Sequence, residues 1–383
     1  PPSQEYSGYK IALMDFFPET KEVEVKDWST GGVEREAYGR LLIATGTTPR
    51  KLPFIDAGEK GVFNVHNIED LKKILLFLEE TTPRKAVIIG AGIIGLELTE
   101  ALSKRGMEIT VIEGLEDPIA AWPPFVVKAV REKLSEKKVR LETGTFVRKV
   151  ERSGRGLEIK TDEETYTADI LFSVVGTQPA TGFCGEKLDK LKNGAIIIDR
   201  YCRTSENDIY SAGDCAATYH RALNKAAYIP LGSTANKMGR IAGMNMAGDS
   251  LAFPGIVGTQ IFKFFDLSLA KTGIDAKEAK IEEIETGSYS ATRTDKAGYY
   301  PGADLAKVEV VCERHTGKLL GAAAVSRSNA AQFIDPAAMA IQGEITIHDL
   351  AWFDAAYTPP FAPVWNALIS AASKGSDKIQ NSP

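Results

Sequence analysis

Nowhere in this sequence is there an apolar run long enough to cross a membrane. The longest, Ala86 to Ile89 and Ile196 to Ile198 among them, are strand-sized, against the roughly 20 residues that a membrane helix needs. A basic excess is missing too. With 46 Lys and Arg against 51 Asp and Glu the formal charge is -5, which leaves no broad positive field for nucleic acid or anionic lipid. Cysteine is scarce: Cys184, Cys202, Cys215 and Cys312 lie far apart with no C-x-x-C pair. Four reduced, mostly buried thiols of a cytoplasmic protein are the expectation. The four histidines, His66, His220, His315 and His348, show no zinc spacing, so no metal site is expected. The opening Pro1-Pro2-Ser3-Gln4-Glu5 has neither the charged nor the apolar region of a secretory signal. These absences point to a soluble enzyme acting on a small molecule, with no nucleic-acid or membrane partner.

What is present is globular. At 383 residues, 44% hydrophobic and 25% charged, the chain is long enough for two or three cores. Tyr9 to Ile43 reads as a hairpin turning near Pro18-Glu19-Thr20, followed by the apolar strand Arg40-Leu41-Leu42-Ile43. An amphipathic helix is predicted over Leu71 to Leu78, stopped before Pro83. A strand-turn-helix-strand unit spans Lys85 to Glu113, with a helix near Pro124 to Lys137 and further strands through Val175. A strand and turn cover Ala195 to Asp214, and a helix runs from about Ser233 to Met246. After Pro254-Gly255 the strand-like runs Val308 to Val311 and Leu319 to Val325 precede helices near Ala330 to Gln342 and Val364 to Ala372, an α+β order. The polar end, Gly375 to Pro383, is expected to fray.

The sharpest motif is Gly90-Ala91-Gly92-Ile93-Ile94-Gly95, a G-x-G-x-x-G that follows the apolar strand and opens a helix. Gly90 permits the tight turn, Gly92 lets backbone approach a pyrophosphate, and Gly95 lets helix pack on strand. The second strand ends at Glu113, about twenty residues beyond the loop, where a carboxylate accepts hydrogen bonds from ribose hydroxyls and repels a 2'-phosphate. No arginine or lysine follows in Gly114-Leu115-Glu116-Asp117, so NADH is expected in preference to NADPH.

Two smaller motifs flank this unit. Ala44-Thr45-Gly46 ends one strand, Ala212-Gly213-Asp214 ends another, and Pro230-Leu231-Gly232-Ser233 opens a helix. In this combination the chain resembles the pyridine nucleotide-disulfide oxidoreductases, whose nicotinamide domain is inserted into a flavin domain. The resemblance implies an α/β fold: an incomplete Rossmann-like FAD domain, an inserted NAD(P) Rossmann domain and a C-terminal α+β dimerisation domain. The corresponding segments are 1–81 and 200–252 for FAD, 82–199 for NADH and 253–383 for dimerisation. It also implies that Ala44, Thr45, Gly46, Gly213, Asp214, Leu231 and Ser233 face FAD. Gly90, Gly92, Ile93, Ile94, Gly95, Glu97, Glu113 and Gly176 are carried over in the same way to NADH. Glu97 has a plain alternative, a solvated glutamate on a helix face.

The end of the chain narrows the resemblance. Ala356-Tyr357-Thr358-Pro359-Pro360-Phe361 and Trp365, with the turn Tyr299-Tyr300-Pro301-Gly302, are similar to coenzyme A-disulfide reductases and the related NADH oxidases, peroxidases and persulfide reductases. In that group two tyrosines approach the partner's reactive sulfur, a role that falls here on Tyr300 and Tyr357; the alternative is packing at the interface of a homodimer. The family opens with a flavin-binding glycine loop and a redox cysteine, and neither motif occurs in this sequence. Roughly a fifth to a quarter of a usual subunit is therefore expected to be missing. Cys215, next to Asp214, is the nearest thiol by motif. The reading is hydride transfer from NADH through flavin to a disulfide, persulfide or polysulfide. NADH oxidase or peroxidase activity, a flavin-only NADH:acceptor reductase, and a nucleotide-binding dimer without redox activity are the alternatives.

Overall fold

A computed structural model describes residues 4–6, 9–27, 29–55, 59–154 and 156–380. Pro1–Ser3 and Asn381–Pro383, and with them the start of the chain and the last of the expected fray, lie outside the described residues. The chain divides into two compact units, 1–48 with 177–256 and 49–176 with 257–383. No helix among the described residues is long and apolar enough to cross a membrane.

In the first unit the hairpin is part of a four-stranded antiparallel sheet, Gln4–Tyr6, Tyr9–Phe17, Glu22–Asp27 and Val33–Ala37 in that order. The last strand is exposed throughout and lacks an apolar face that could announce it. Its Arg35 stands opposite Glu24 and lies 3.7–3.8 Å from Glu22 and Glu24. Leu41–Ile43 pairs in parallel with Ile209–Ser211, and Ile43, Phe16, Ile209 and Met238 share one core. The strand and turn expected across Ala195 to Asp214 are observed as strands Ile196–Ile197 and Ile209–Ser211 with turns between them. The Asp199 side chain accepts from the N–H groups of Tyr201 and Arg203, and this local turn competes with the ladder. Helix Gly232–Met246 closes the core through Met238 and Ala242.

The second unit is built on a five-stranded parallel sheet, ordered Arg140–Glu142, Glu108–Ile112, Lys85–Ile89, Ile170–Ser173, Val62–Phe63. Its inner strands are apolar on both faces, as a parallel sheet flanked by helices requires. Ile170, Leu171 and Phe172 are wholly buried. Helix Ile68–Thr81 starts earlier than its apolar pattern because Asn67 and Asp70 form a capping box, and it ends at Thr82 in the left-handed region. Val62–Phe63 and Ile74 belong to this sheet and its core, so 49–81 group with the dinucleotide unit and 177–199 with the other. The grouping differs from boundaries at 81 and 199, because strand pairing across the chain, and not the local sequence, draws those segments in.

Residues 257–383 of the same unit form an antiparallel sheet, Gln260–Phe264, Leu267–Gly273, Leu319–Ser326, Leu305–Glu313 and Thr286–Thr294 in spatial order. Helices Ala331–Gln342 and Ala367–Gln380 accompany it. Fraying from Gly375 is not observed. The final helix continues to Gln380, and buried Ser376 meets His348 Nδ1 at 2.9 Å, which holds the last turns down.

The centre of the parallel sheet is its most demanding packing site. Phe172→Ala is expected to lower unfolding free energy by about 3–5 kcal/mol in chemical denaturation; a loss below about 1 kcal/mol would contradict the packing.

Candidate functional site

Sterics explain two of the three loop glycines. At Gly90, with φ +106°, an added Cβ would lie 2.6 Å from the Val174 carbonyl oxygen, and at Gly95 it would lie 2.1 Å from the Gly90 carbonyl oxygen. Neither place admits a side chain. Gly92 differs, since nothing lies within 4 Å of its Cβ direction. It caps helix Ile93–Ser103 without a side-chain hydrogen bond, and the first turn has no acid. The helix N-terminus is thus left with its N–H groups open to an anion.

Glu113 is held at the mouth of this loop. Its Oε2 accepts from Ala91 N–H at 2.7 Å and its Oε1 from Leu115 N–H at 2.9 Å, charge-assisted bonds that fix the carboxylate. Ile94 and Leu115 are exposed beside it. Phe146, not singled out by its sequence, lies with its ring against Gly114, where a Cβ would come within 2.8 Å of the ring. More than half of this phenylalanine is exposed, and the Arg148 guanidinium stands 5.6 Å from its ring centre. Its one sequence signal is an aromatic residue set in the polar turn Thr143-Gly144-Thr145. Although no basic residue follows Glu113 directly, Arg131 reaches the same loop from helix Pro124–Glu136.

Glu97 is exposed on the face of helix Ile93–Ser103, and desolvation by neighbouring protein, followed by the charge of Glu100, pushes its carboxyl upward. Glu100 is buried. Burial opposes its charge, but hydrogen bonds from Lys104, Lys263 and Phe265 N–H outweigh that and hold it below the usual range. Gly176, at φ +93°, sits beyond strand Ile170–Ser173 with open space above it.

In the other unit, Thr45 Oγ1 donates to Ala180 O at 2.8 Å and Ala180 N–H to Gly46 O at 2.9 Å. Gly46 and Gly213 both have positive φ. A Cβ on Gly213 would sit 3.8 Å from Ala235, so the Gly213-Asp214 turn and helix Gly232–Met246 are neighbours, as their joint motif suggests. That helix starts at Leu231 with no side-chain cap and no acid in its first turn, where Ser233 is exposed. An uncapped N-terminus beside open glycines fits an electron-rich ring edge such as that of a flavin.

The four cysteines are buried. Burial pushes Cys184 up to about 11, Cys202 up to about 12 and Cys312 up to about 11, the opposite of an activated thiolate. Cys215 is enclosed by Ser211 Oγ and the carbonyls of Ile43 and Ala212. By contrast, the tyrosine motifs meet at the surface. Ala297 N–H donates to Pro359 O at 3.1 Å, and the neighbouring Tyr357 phenol raises Tyr299 above the usual phenol value. Tyr300 sits in the turn itself, its N–H bonded to Ala297 O at 2.7 Å. Trp352 and Trp365 contact edge to face nearby in sequence to an exposed Phe361.

Residues 6–239 match the family described as pyridine nucleotide-disulphide oxidoreductase, and residues 259–368 match its dimerisation domain. An NAD(P)H coenzyme A polysulfide/persulfide reductase of Pyrococcus horikoshii is 32% identical over 356 residues, which is 92% of this chain and 79% of that protein. A solved structure of a water-forming NADH oxidase from Lactobacillus brevis, bound to NADH, has a TM-score of 0.93 at 27% identity, covering 97% of this chain and 82% of that one. An NAD-dependent persulfide reductase from A. fulgidus has a TM-score of 0.91 at 33% identity, covering 97% and 69%.

A thiol titration checks the cysteine geometry. Ellman's reagent is expected to leave all four thiols unmodified over minutes in folded protein and to modify all four after unfolding; rapid reaction of any one in the native state would contradict its burial.

Proposed function

This chain belongs to the pyridine nucleotide-disulphide oxidoreductase family and is an NADH-dependent flavoprotein oxidoreductase; from that premise we propose that its electron acceptor is a disulfide, persulfide or polysulfide. Bound FAD supplies the two-electron relay between nicotinamide and acceptor. Gly90, Gly92 and Gly95 bring the open N-terminus at Ile93 and Ile94 to the dinucleotide's pyrophosphate. Glu113 takes the adenosine ribose, Glu97 and Gly176 border the nicotinamide, and Phe146 offers its ring to the adenine. Ala44, Thr45, Gly46, Gly213 and Asp214 line the flavin, with Leu231 and Ser233 presenting the helix N-terminus to its pyrimidine edge.

The observation that carries the acceptor class is the phenol pair. Tyr299 and Tyr357 are neighbouring surface phenols, brought together where the turn at Ala297 bonds Pro359, and a phenol stays protonated at neutral pH. Such a group can donate to a thiolate or leaving sulfur. Tyr300, in the same turn, borders that approach. The sulfur-reducing relatives, at 32% and 33% identity, support the same class. A homodimer suits the match to the dimerisation domain and would cover the exposed Trp352, Phe361 and Trp365. Four free cysteines suit a reducing compartment such as the cytoplasm.

Anaerobic reduction of the purified holoprotein by NADH, followed by separate addition of coenzyme A disulfide, coenzyme A persulfide and oxygen, tests the acceptor. Tyr357→Phe is expected to slow turnover with the sulfur acceptors about ten- to hundredfold, leaving flavin bleaching by NADH as fast as in the wild type. Oxygen consumed faster than either sulfur compound, with water as product, would overturn the sulfur reading in favour of an oxidase.

A further inference from the structure

The loop beyond Glu113 contains an arginine that its own sequence does not provide. Helix Pro124–Glu136 delivers Arg131, whose Nε and Nη2 donate to Asp117 Oδ1 at 3.1 and 3.0 Å. Nη2 also reaches the Glu116 carbonyl oxygen, and Thr143 Oγ1 at 3.4 Å. The loop is firmly made: Leu115 N–H is bound to Glu113, Gly144 N–H to Leu115 O and Thr145 N–H to Glu113 O. The guanidinium therefore stands on the same short loop as the ribose-binding carboxylate. Both members of the ion pair remain about two-fifths exposed, so the pair is open to a ligand.

A planar guanidinium matches a phosphate in charge and in the spacing of its donors. Here that match is preempted. Asp117 already occupies Nε and Nη2, and Glu113 and Glu116 add two more carboxylates to the loop, so an incoming 2'-phosphate meets three acids and one neutralised base. Removing only Glu113 would lessen the repulsion without releasing the cation.

We propose that the Asp117–Arg131 ion pair, together with Glu113, determines the preference for NADH over NADPH, with Asp117 sequestering a guanidinium that would otherwise bind the 2'-phosphate. The proposal rests on the dinucleotide reading of the glycine loop. An exposed ion pair adds little stability, and Glu116 and Thr143 still hold Arg131 once Asp117 loses its charge.

Calorimetric binding of NAD+ and NADP+ to the holoprotein tests it in wild type, Asp117→Asn, Arg131→Met and the double variant. Asp117→Asn is expected to raise the ratio of NADP+ to NAD+ affinity about tenfold, an effect that shrinks with added salt and vanishes in the double variant. Should Arg131→Met fold poorly, Arg131→Lys serves instead, since an ammonium lacks the fork. A wild type that binds NAD+ while Asp117→Asn leaves the ratio unchanged, or a rise that survives loss of Arg131, overturns the proposal alone. Binding of neither dinucleotide by the wild type overturns the dinucleotide reading and the proposal with it.

Discussion

Between Gly95 and the carbonyl of Gly90 there is no room for a single carbon atom. Helix Ile93–Ser103 consequently packs directly on the end of strand Lys85–Ile89, and the open first turn of the helix lies where the strand stops. Gly90 in turn presses on the Val174 backbone, which ties the loop to the next strand of the sheet. The Ala91 N–H is left to be taken by Glu113. One steric requirement thereby sets the loop, the direction of the helix and the position of the Glu113 carboxylate.

The same solution recurs in the other unit with different residues. Strands Leu41–Ile43 and Ile209–Ser211 pair in parallel and both run out into small residues, and an uncapped helix starts beside Gly213. Small residues matter at strand ends because they let another molecule approach backbone closely, and an uncapped helix supplies partial positive charge without a competing side chain. The two units thus repeat one arrangement, small residues at parallel strand ends beside an uncapped helix, with different residues.

Charge and burial divide the remaining labour. Buried acids and bases are spent on cohesion: Glu100 collects Lys104, Lys263 and the Phe265 N–H, and Lys133 collects Asp266 and Glu136. All four cysteines are buried, and burial pushes the thiols of Cys184, Cys202 and Cys312 upward. Other polar groups are kept at surfaces, among them the phenols of Tyr299 and Tyr357 and the acidic loop around Glu113. The aromatic residues near the end of the chain, Trp352, Phe361 and Trp365, stay exposed.

By itself the sequence determined what depends on near neighbours. Glycine spacing, helix and strand periodicity and the acid at a strand end are local, and from them the glycine loop, the small-residue strand ends at Gly46 and Gly213 and the α/β class could be read. The exposed strand Val33–Ala37 was not legible because it has no apolar face, and within Ala195 to Asp214 only the structure places the turn, where Asp199 accepts from the N–H groups of Tyr201 and Arg203. Only the tertiary structure decided which distant side chains meet: Phe146 against Gly114, Arg131 on Asp117, and Tyr299 beside Tyr357. It also decided that 49–81 join the dinucleotide sheet. Those outcomes depend on side-chain direction and long-range strand pairing, which arise from contacts between residues far apart in the chain and leave no periodic trace along it.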